Sequence, residues 1–132
     1  MEYYIAPAED EPDFIKITSP EQIKICDPCC GSGHMLVYAF DLLAQIYREE
    51  FYSDEEIPAL ILKNNLCGVE IDERAGALAA FALVMKAREL DPNFMQHFVK
   101  PKICVLESIT FTEQELADTR KILGDEQLTE SY

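Results

Sequence analysis

Residues 27–33 read Asp-Pro-Cys-Cys-Gly-Ser-Gly, and this stretch decides the fold. A short segment with alternating apolar residues, 22–27, runs into it, and apolar residues spaced three and four apart follow it from His34 to about Phe51. The alternation predicts a strand and the later spacing predicts an amphipathic helix. The glycines therefore form the turn between a strand and a helix, where parallel α/β proteins bind their ligands.

The same order of elements recurs along the chain. Residues 66–71 form a compact apolar run that predicts a second strand, and residues 101–106 predict a third. Asp72 is a suitable N-cap for a long Ala-rich helix that runs to about Leu90 and stops at Asp-Pro-Asn. This helix is apolar on nearly all sides, which predicts burial on two faces, between the sheet and a further domain. Without such a domain, one face is expected to be bare.

Two capping boxes predict the remaining helices. Ser53 and Glu56 have the spacing of the first, which predicts a short helix over 54–64. Thr112 and Glu115 have the same spacing and predict a final helix to about Leu123.

The order strand, helix, strand, helix, strand predicts an α/β fold with right-handed crossovers and a parallel sheet. Three strands make about half of a doubly wound sheet. Residues 1–20 are rich in proline and acidic residues and predict an irregular lead-in. The domain is expected to cover 21–123, and 124–132 to be a frayed tail.

Composition limits the functions that the chain can have. It has 132 residues, of which 48% are hydrophobic, which excludes a disordered protein and a large multi-domain enzyme. With 25 acidic and 11 basic residues the net charge is −14, the wrong sign for binding a phosphate backbone unaided. No apolar run approaches the ~18–20 residues of a membrane span, and the acidic start does not resemble a signal peptide. A cytoplasmic location is expected.

The five cysteines are Cys26, Cys29, Cys30, Cys67 and Cys104. Their apolar surroundings predict small buried thiols in a reducing compartment. A zinc site is the competing interpretation, because Cys26-x-x-Cys29 has ligand spacing and two other cysteines fall on neighbouring predicted strands. The second close pair of cysteines that a structural zinc site requires is missing.

A candidate ligand site follows from the predicted strand ends. Gly31 and Gly33 allow a tight turn with exposed N–H groups at a helix start, but no lysine follows them as in a phosphate-binding P-loop. Glu70 ends the second predicted strand, where dinucleotide folds place an acidic residue that accepts hydrogen bonds from ribose hydroxyls. The alternative for Glu70 is a solvated strand end. Glu107 and Ser108 hold the equivalent position after the third strand.

These segments resemble a known family. Asp-Pro-Cys-Cys-Gly-Ser-Gly-His-Met-Leu at 27–36 resembles the first motif of S-adenosylmethionine-dependent adenine-specific DNA methyltransferases. Gly-Val-Glu-Ile-Asp at 68–72 resembles the second motif. Further stretches between 46 and 75 are similar to PglX-type methyltransferases of phage-exclusion systems and to methylase subunits of type II restriction enzymes. The resemblance covers roughly residues 14–110 and implies a Rossmann-like methyltransferase sheet that stops after about three strands.

The resemblance also implies roles for individual residues. Asp27 and the backbone of the following loop contact the amino-acid end of S-adenosyl-L-methionine, Glu70 holds both ribose hydroxyls, and Ile71 packs on the adenine. Glu107 matches the acidic position that recognises the adenine amine. The loop residues are Pro28, Cys29, Cys30, Gly31, Ser32 and Gly33. Asp27 suits the cofactor ammonium, and N–H groups at a helix start suit its carboxylate.

One departure from the family pattern limits what the chain is expected to do alone. Such enzymes carry a catalytic tetrapeptide of the Asn-Pro-Pro-Tyr kind, and no Pro-Pro pair occurs in this sequence. The expectation is a cofactor-binding part without catalytic residues of its own, with DNA bound by the rest of a longer enzyme. An exposed sheet edge is expected to promote self-association. The alternative is an acidic, non-enzymatic interaction module, which cofactor binding would distinguish.

Overall fold

The computed structural model of the protein describes residues 16–123 and contains a parallel three-stranded sheet. The strands lie in the order β1-β2-β3, and both neighbouring pairs are parallel. The strands are β1 (Ile25–Asp27), β2 (Leu66–Glu70) and β3 (Ile103–Val105). The helices are α1 (His34–Glu49), α2 (Ile57–Leu60), α3 (Glu73–Leu90) and α4 (Glu113–Leu123). Shorter elements are 3₁₀ turns at Pro20–Gln22 and Phe94–His97 and a π-helical turn at Ile61–Asn65.

The predicted order of elements and the parallel sheet are confirmed, and the differences lie at element ends. The first strand is shorter than predicted because Gln22 belongs to a turn that is closed by the Ile23 N–H on the Pro20 carbonyl, 3.1 Å. The helix predicted over 54–64 begins only at Ile57 and becomes π-helical after Leu60. Residues 1–15 of the predicted lead-in and the predicted tail 124–132 lie outside the described residues.

Helices α1 and α3 pack on one face of the sheet and bury the core between them and the strands. The predicted stripe of α1 is buried, including Leu36, Phe40 and Leu43. On α3 the buried positions are the small residues Gly76 and Ala79, together with Leu83 and Ala87. Small side chains let the two helices and the sheet approach closely, so the first turn of α1 lies against α3.

The opposite face of α3 is exposed, as expected for this chain without a further domain. Leu78, Phe81 and Met85 are 57%, 62% and 46% exposed. They lie on the side of the helix away from Ala79 and Leu83, and no described element covers them. The helix therefore has one face buried against the sheet and one bare apolar face.

The predicted caps are present at the starts of α3 and α4, whereas the predicted Ser53–Glu56 box closes a turn before α2. The Asp72 carboxylate accepts hydrogen bonds from the N–H groups of Arg74, 2.7 Å, and Ala75, 3.1 Å. Thr112 and Glu115 bond reciprocally, with the Thr112 N–H 2.8 Å from the Glu115 carboxylate. The Ser53 hydroxyl likewise donates to Glu56 at 2.7 Å.

Within residues 16–123 no helix is long and apolar enough to cross a membrane.

Asn65 joins three parts of the fold through a buried side chain. Its amide donates to the carbonyls of Pro20 and Ile23, both at 2.8 Å, and its oxygen accepts from the Tyr47 hydroxyl at 2.9 Å. Burial raises the pKa of Tyr47 to about 12, so this hydroxyl stays protonated and donates at neutral pH. The segment before β1 is thereby fixed to α1 and to the turn before β2.

We expect Asn65→Leu to destabilise the protein by about 3 kcal/mol, because it removes both amide bonds to the segment before β1 and the acceptor of the buried Tyr47 hydroxyl. Urea unfolding followed by circular dichroism measures the change. Asn93→Leu is the matched control, because Asn93 is exposed and its side chain accepts only a 3.4 Å bond from Gln96. Equal losses of stability in the two variants would contradict the role assigned to Asn65.

Candidate functional site

The loop between β1 and α1 lies across the carboxyl ends of the first two strands. The Cys30 N–H donates to the Val69 carbonyl of β2 at 2.9 Å, and the Gly33 N–H donates to the Cys30 carbonyl at 2.8 Å. The Asp27 carboxylate accepts from the Cys29 N–H at 3.1 Å. These bonds hold the loop in one conformation above the sheet.

The two loop glycines both have positive φ, but they meet different surroundings. Gly33, at φ +87°, approaches α3 so closely that a Cβ atom there would lie 2.9 Å from the Cα and Cβ of Ala79. Gly31, at φ +53°, has no atom within 4 Å of the position that a Cβ would occupy. Gly33 therefore serves helix packing, whereas Gly31 leaves its backbone open to an approaching ligand.

Glu70 lies beside this open backbone. Its Oε2 accepts from the Gly31 N–H at 2.7 Å, and its Oε1 accepts from the N–H groups of Ile71, 2.8 Å, and Asp72, 3.1 Å. The N–H groups of Asp72, Ile71 and Gly31, in that order, lower the pKa of Glu70 below its ordinary value. The site therefore carries a fixed negative charge at neutral pH.

The hydrogen bonds that Glu70 already accepts from backbone N–H groups limit how many more it can accept. An ionised carboxylate offers about four acceptor positions, two on each oxygen. Backbone N–H groups take both positions on Oε1 and one on Oε2. One position remains, so accepting two hydroxyl groups requires the release of one backbone N–H.

The residues that follow β2 and β3 lie at the same edge of the sheet. The Leu106 N–H donates to the Glu70 carbonyl at 2.8 Å, which places the start of the segment containing Glu107 beside the end of β2. Glu107 and Ser108 are exposed, and Ile71 is 78% exposed. Hydrogen bonds join both Asp27 and Glu70 to the loop between β1 and α1. No hydrogen bond within the described chain joins Glu107 to this loop, so Glu107 is less firmly held at the site.

The prediction that the cysteines are buried is wrong for most of them. Cys30 is buried under the loop, Cys67 is partly buried, and Cys26, Cys29 and Cys104 are exposed. The exposed cysteines of β1 and β3 lie on the sheet face that α1 and α3 do not cover. For the zinc alternative, no group of three or more His, Cys, Asp or Glu residues within the described residues is arranged to hold a metal ion.

One interaction that the sequence did not predict joins His97 to Asp91. His97 is about half exposed, and its Nε2 lies 2.9 Å from the buried Asp91 Oδ2. Asp91 also accepts from the Asn93 N–H at 2.9 Å and so caps the turn after α3. The Asp-Pro-Asn stop signal marked this turn, but nothing in the sequence indicated the histidine contact.

A parallel sheet with an open glycine turn after β1 and an ionised carboxylate at the end of β2 is typical of a Rossmann-like fold. The family model described as the DNA-methyltransferase domain of MmeI matches residues 16–115. The chain therefore belongs to the MmeI-type DNA-methyltransferase domain family.

Curated relatives agree with this assignment. The chain is 44% identical over 115 residues to the adenine-specific methyltransferase BrxX of Escherichia coli O9:H4 (strain HS), a match that covers 81% of the chain. It is 41% identical over 98 residues, 74% of the chain, to the adenine-specific methyltransferase PglX of Lacticaseibacillus casei (strain Zhang). A putative type II restriction enzyme and methyltransferase of Methanocaldococcus jannaschii is 38% identical over 69 residues, 48% of the chain.

These relatives are much longer than the chain. The matched regions span 10% of the Escherichia coli protein, 8% of the Lacticaseibacillus protein and 6% of the Methanocaldococcus protein. The family assignment therefore rests on the region around the candidate site.

The lowered pKa of Glu70 predicts a pH-dependent contribution to stability. The folded pKa lies below the unfolded value, so ionised Glu70 stabilises the fold above the unfolded pKa, and this stabilisation disappears as pH falls through the folded pKa. In urea unfolding, the difference in unfolding free energy between the native chain and Glu70→Gln should be largest at neutral pH and should disappear in acid. Glu107→Gln, which removes no described backbone hydrogen bond, should show no such pH dependence. A gap that stays constant with pH would contradict the role given to the Glu70 charge.

Proposed function

We propose that the loop of residues 27–33 and Glu70 bind S-adenosyl-L-methionine. The observation that carries the proposal is the contact between Glu70 and the Gly31 N–H, which brings an ionised carboxylate beside an open backbone at a helix start. A nucleoside with a ribose diol and a charged amino-acid end has groups that match both features. When bound, this cofactor supplies a methyl group on a sulfonium sulfur.

The donor and acceptor groups present fit the cofactor. Asp27 uses one carboxylate oxygen for the Cys29 N–H and keeps its other oxygen for an ammonium group. The first turn of α1 has N–H groups without helical partners, which suit a carboxylate. Glu70 binds the ribose diol and accepts both hydroxyls after releasing the Gly31 N–H. The released N–H then becomes a donor for the bound ligand.

The base of the cofactor has two candidate contacts at the same edge. Ile71 offers an exposed aliphatic side chain directly after Glu70, and such a side chain suits the face of an adenine ring. Glu107 is an exposed carboxylate after β3 that suits the exocyclic amine of the adenine. We assign both roles from their position after neighbouring parallel strands.

For the longer protein to which such a chain corresponds, we propose methyl transfer to the exocyclic amine of adenine in DNA. The relatives are named as adenine-specific methyltransferases and as a putative restriction enzyme and methyltransferase, which supports a restriction-modification or phage-defence role. The 132 residues carry a net charge of −14, so DNA contacts belong to other parts of such a protein. We assign no catalytic residue to this chain, and we propose that the protein acts in the cytoplasm.

Calorimetric titration with S-adenosyl-L-methionine tests the cofactor site. We expect binding by the native chain in the micromolar-to-millimolar range, about −4 to −8 kcal/mol, and loss of at least tenfold in affinity for Asp27→Ala and Glu70→Ala. S-adenosylhomocysteine, the demethylated product, should bind the same site. Methyl transfer to DNA by the 132-residue chain alone is expected to be absent.

Glu73→Ala is the matched control for this titration. Glu73 is an exposed glutamate three residues after Glu70 and lies in the first turn of α3. Its substitution should leave the affinity within about twofold of the native chain, a difference of about 0.4 kcal/mol. If the folded native chain gives no binding heat with either ligand, the cofactor proposal is refuted and the acidic interaction module is favoured.

We also propose that the β1 edge promotes self-association of the chain. Strand β1 is an edge strand of the described sheet. Beside it lies an open, mainly apolar groove of about 340 Å³, lined by Ile25 of the strand and by Met35, Tyr38 and Leu42 of α1. An unpaired strand edge next to an apolar groove favours pairing with another strand, here that of a second copy.

Sedimentation over a range of protein concentrations tests this contact. We expect Met35→Asp to weaken self-association at least tenfold, because the charge lies in the groove beside β1. Met95→Asp is the control, since Met95 is similarly exposed, 55% against 69%, but lies on the turn after α3. A native chain that is monomeric at every concentration would refute the edge contact.

A further inference from the structure

Three cysteines lie on the sheet face that α1 and α3 leave uncovered, away from the cofactor site. Cys26 lies at the centre of β1, Cys67 is the second residue of β2, and Cys104 is at the centre of β3. Side chains alternate between the two faces of a strand. The neighbours Ile25, Leu66 and Ile103 contribute to the core, so the three thiols point to the other face.

Cys26 and Cys67 form the closest pair in this group. Their Cα atoms are register partners on neighbouring parallel strands, and such strands lie about 4.8 Å apart. By contrast, the register partner of Cys104 is Val69, two residues further along β2 than Cys67.

We propose that Cys26 and Cys67 are a reversible oxidation site, in which a peroxide converts the two thiols into a disulfide across β1 and β2. Strand spacing lies inside the range of about 4.4–6.8 Å between Cα atoms that disulfides span.

The reaction begins at Cys26, which is exposed and therefore reached first by a peroxide. Its thiolate attacks the peroxide, forming an S–O bond and breaking the O–O bond, and leaves a sulfenic acid and one water after proton transfer. The Cys67 sulfur then attacks the Cys26 sulfur, forming the S–S bond and releasing the sulfenic oxygen as a second water. Two thiols lose two electrons and two protons, and hydrogen peroxide is reduced to two waters.

The environment of Cys67 is consistent with this order. Burial, followed by the neighbouring Cys26 thiol, raises the pKa of the Cys67 thiol, so it is a poor first target of oxidation. As the second thiol it needs only to reach Cys26, its register partner on the adjacent strand. Because one partner is exposed, thiol reductants can reach the disulfide and reverse it.

Peptide mapping of the full 132-residue chain tests the proposal. The chain is treated with hydrogen peroxide, its remaining thiols are alkylated, and it is digested with trypsin without reduction. Cys67 is the sole cysteine of peptide 64–74, and Cys26 lies in peptide 25–48 with Cys29 and Cys30. We expect these two peptides to be joined with the loss of two hydrogen atoms and to separate on treatment with dithiothreitol.

Variants identify the partner of Cys67. Cys29→Ser is the matched control, because Cys29 is an exposed thiol in the same peptide as Cys26, and it should keep the crosslink. Cys26→Ser and Cys26→Ala should both abolish it, with circular dichroism showing that each variant is folded. The proposal is overturned if Cys67 stays fully alkylated after oxidation, if it pairs with peptide 103–120 instead, or if the link joins two separate chains.

Discussion

The hydrogen bond from the Gly31 N–H to the Glu70 carboxylate is the interaction on which the candidate site depends. It joins the first turn of the fold to the end of the second strand at 2.7 Å, beside the bond from Cys30 to Val69. Both bonds require β1 and β2 to be parallel and in register, so that their carboxyl ends meet. The buried Asn65 side chain, at the other end of β2, fixes the segment before β1 and so supports this register.

The charge of the chain is consistent with the proposed function. Glu70 and the acidic surface suit a ligand with an ammonium group and a ribose diol, and they repel a phosphate backbone. On that proposal, this region holds the methyl donor, and contact with DNA belongs to separate, basic regions of a longer protein. The matched regions are 10% and 8% of the BrxX and PglX relatives, so most of each relative lies outside them.

Local signals predicted the elements of the fold well, whereas burial depended on packing that the sequence does not display. The cap at Asp72 and the capping box at Thr112 were predicted correctly because each involves atoms within four residues. The exposed thiol of Cys26 was predicted wrongly, because an apolar residue type does not reveal whether anything packs on it. The sequence alone did not show that the open backbone of Gly31 lies beside Glu70, because that arrangement depends on β1 and β2 being neighbours in the sheet.

The close approach of Gly33 to Ala79 makes α3 the mechanical support of the glycine loop. Ala79 touches the loop on one side of the helix, while Leu78, Phe81 and Met85 face outwards on the other. The two sides are separated by about 10 Å, the diameter of one helix. Because Gly33 packs directly on Ala79, the position of α3 sets the position of the loop, although the exposed side of the helix lies outside the candidate site.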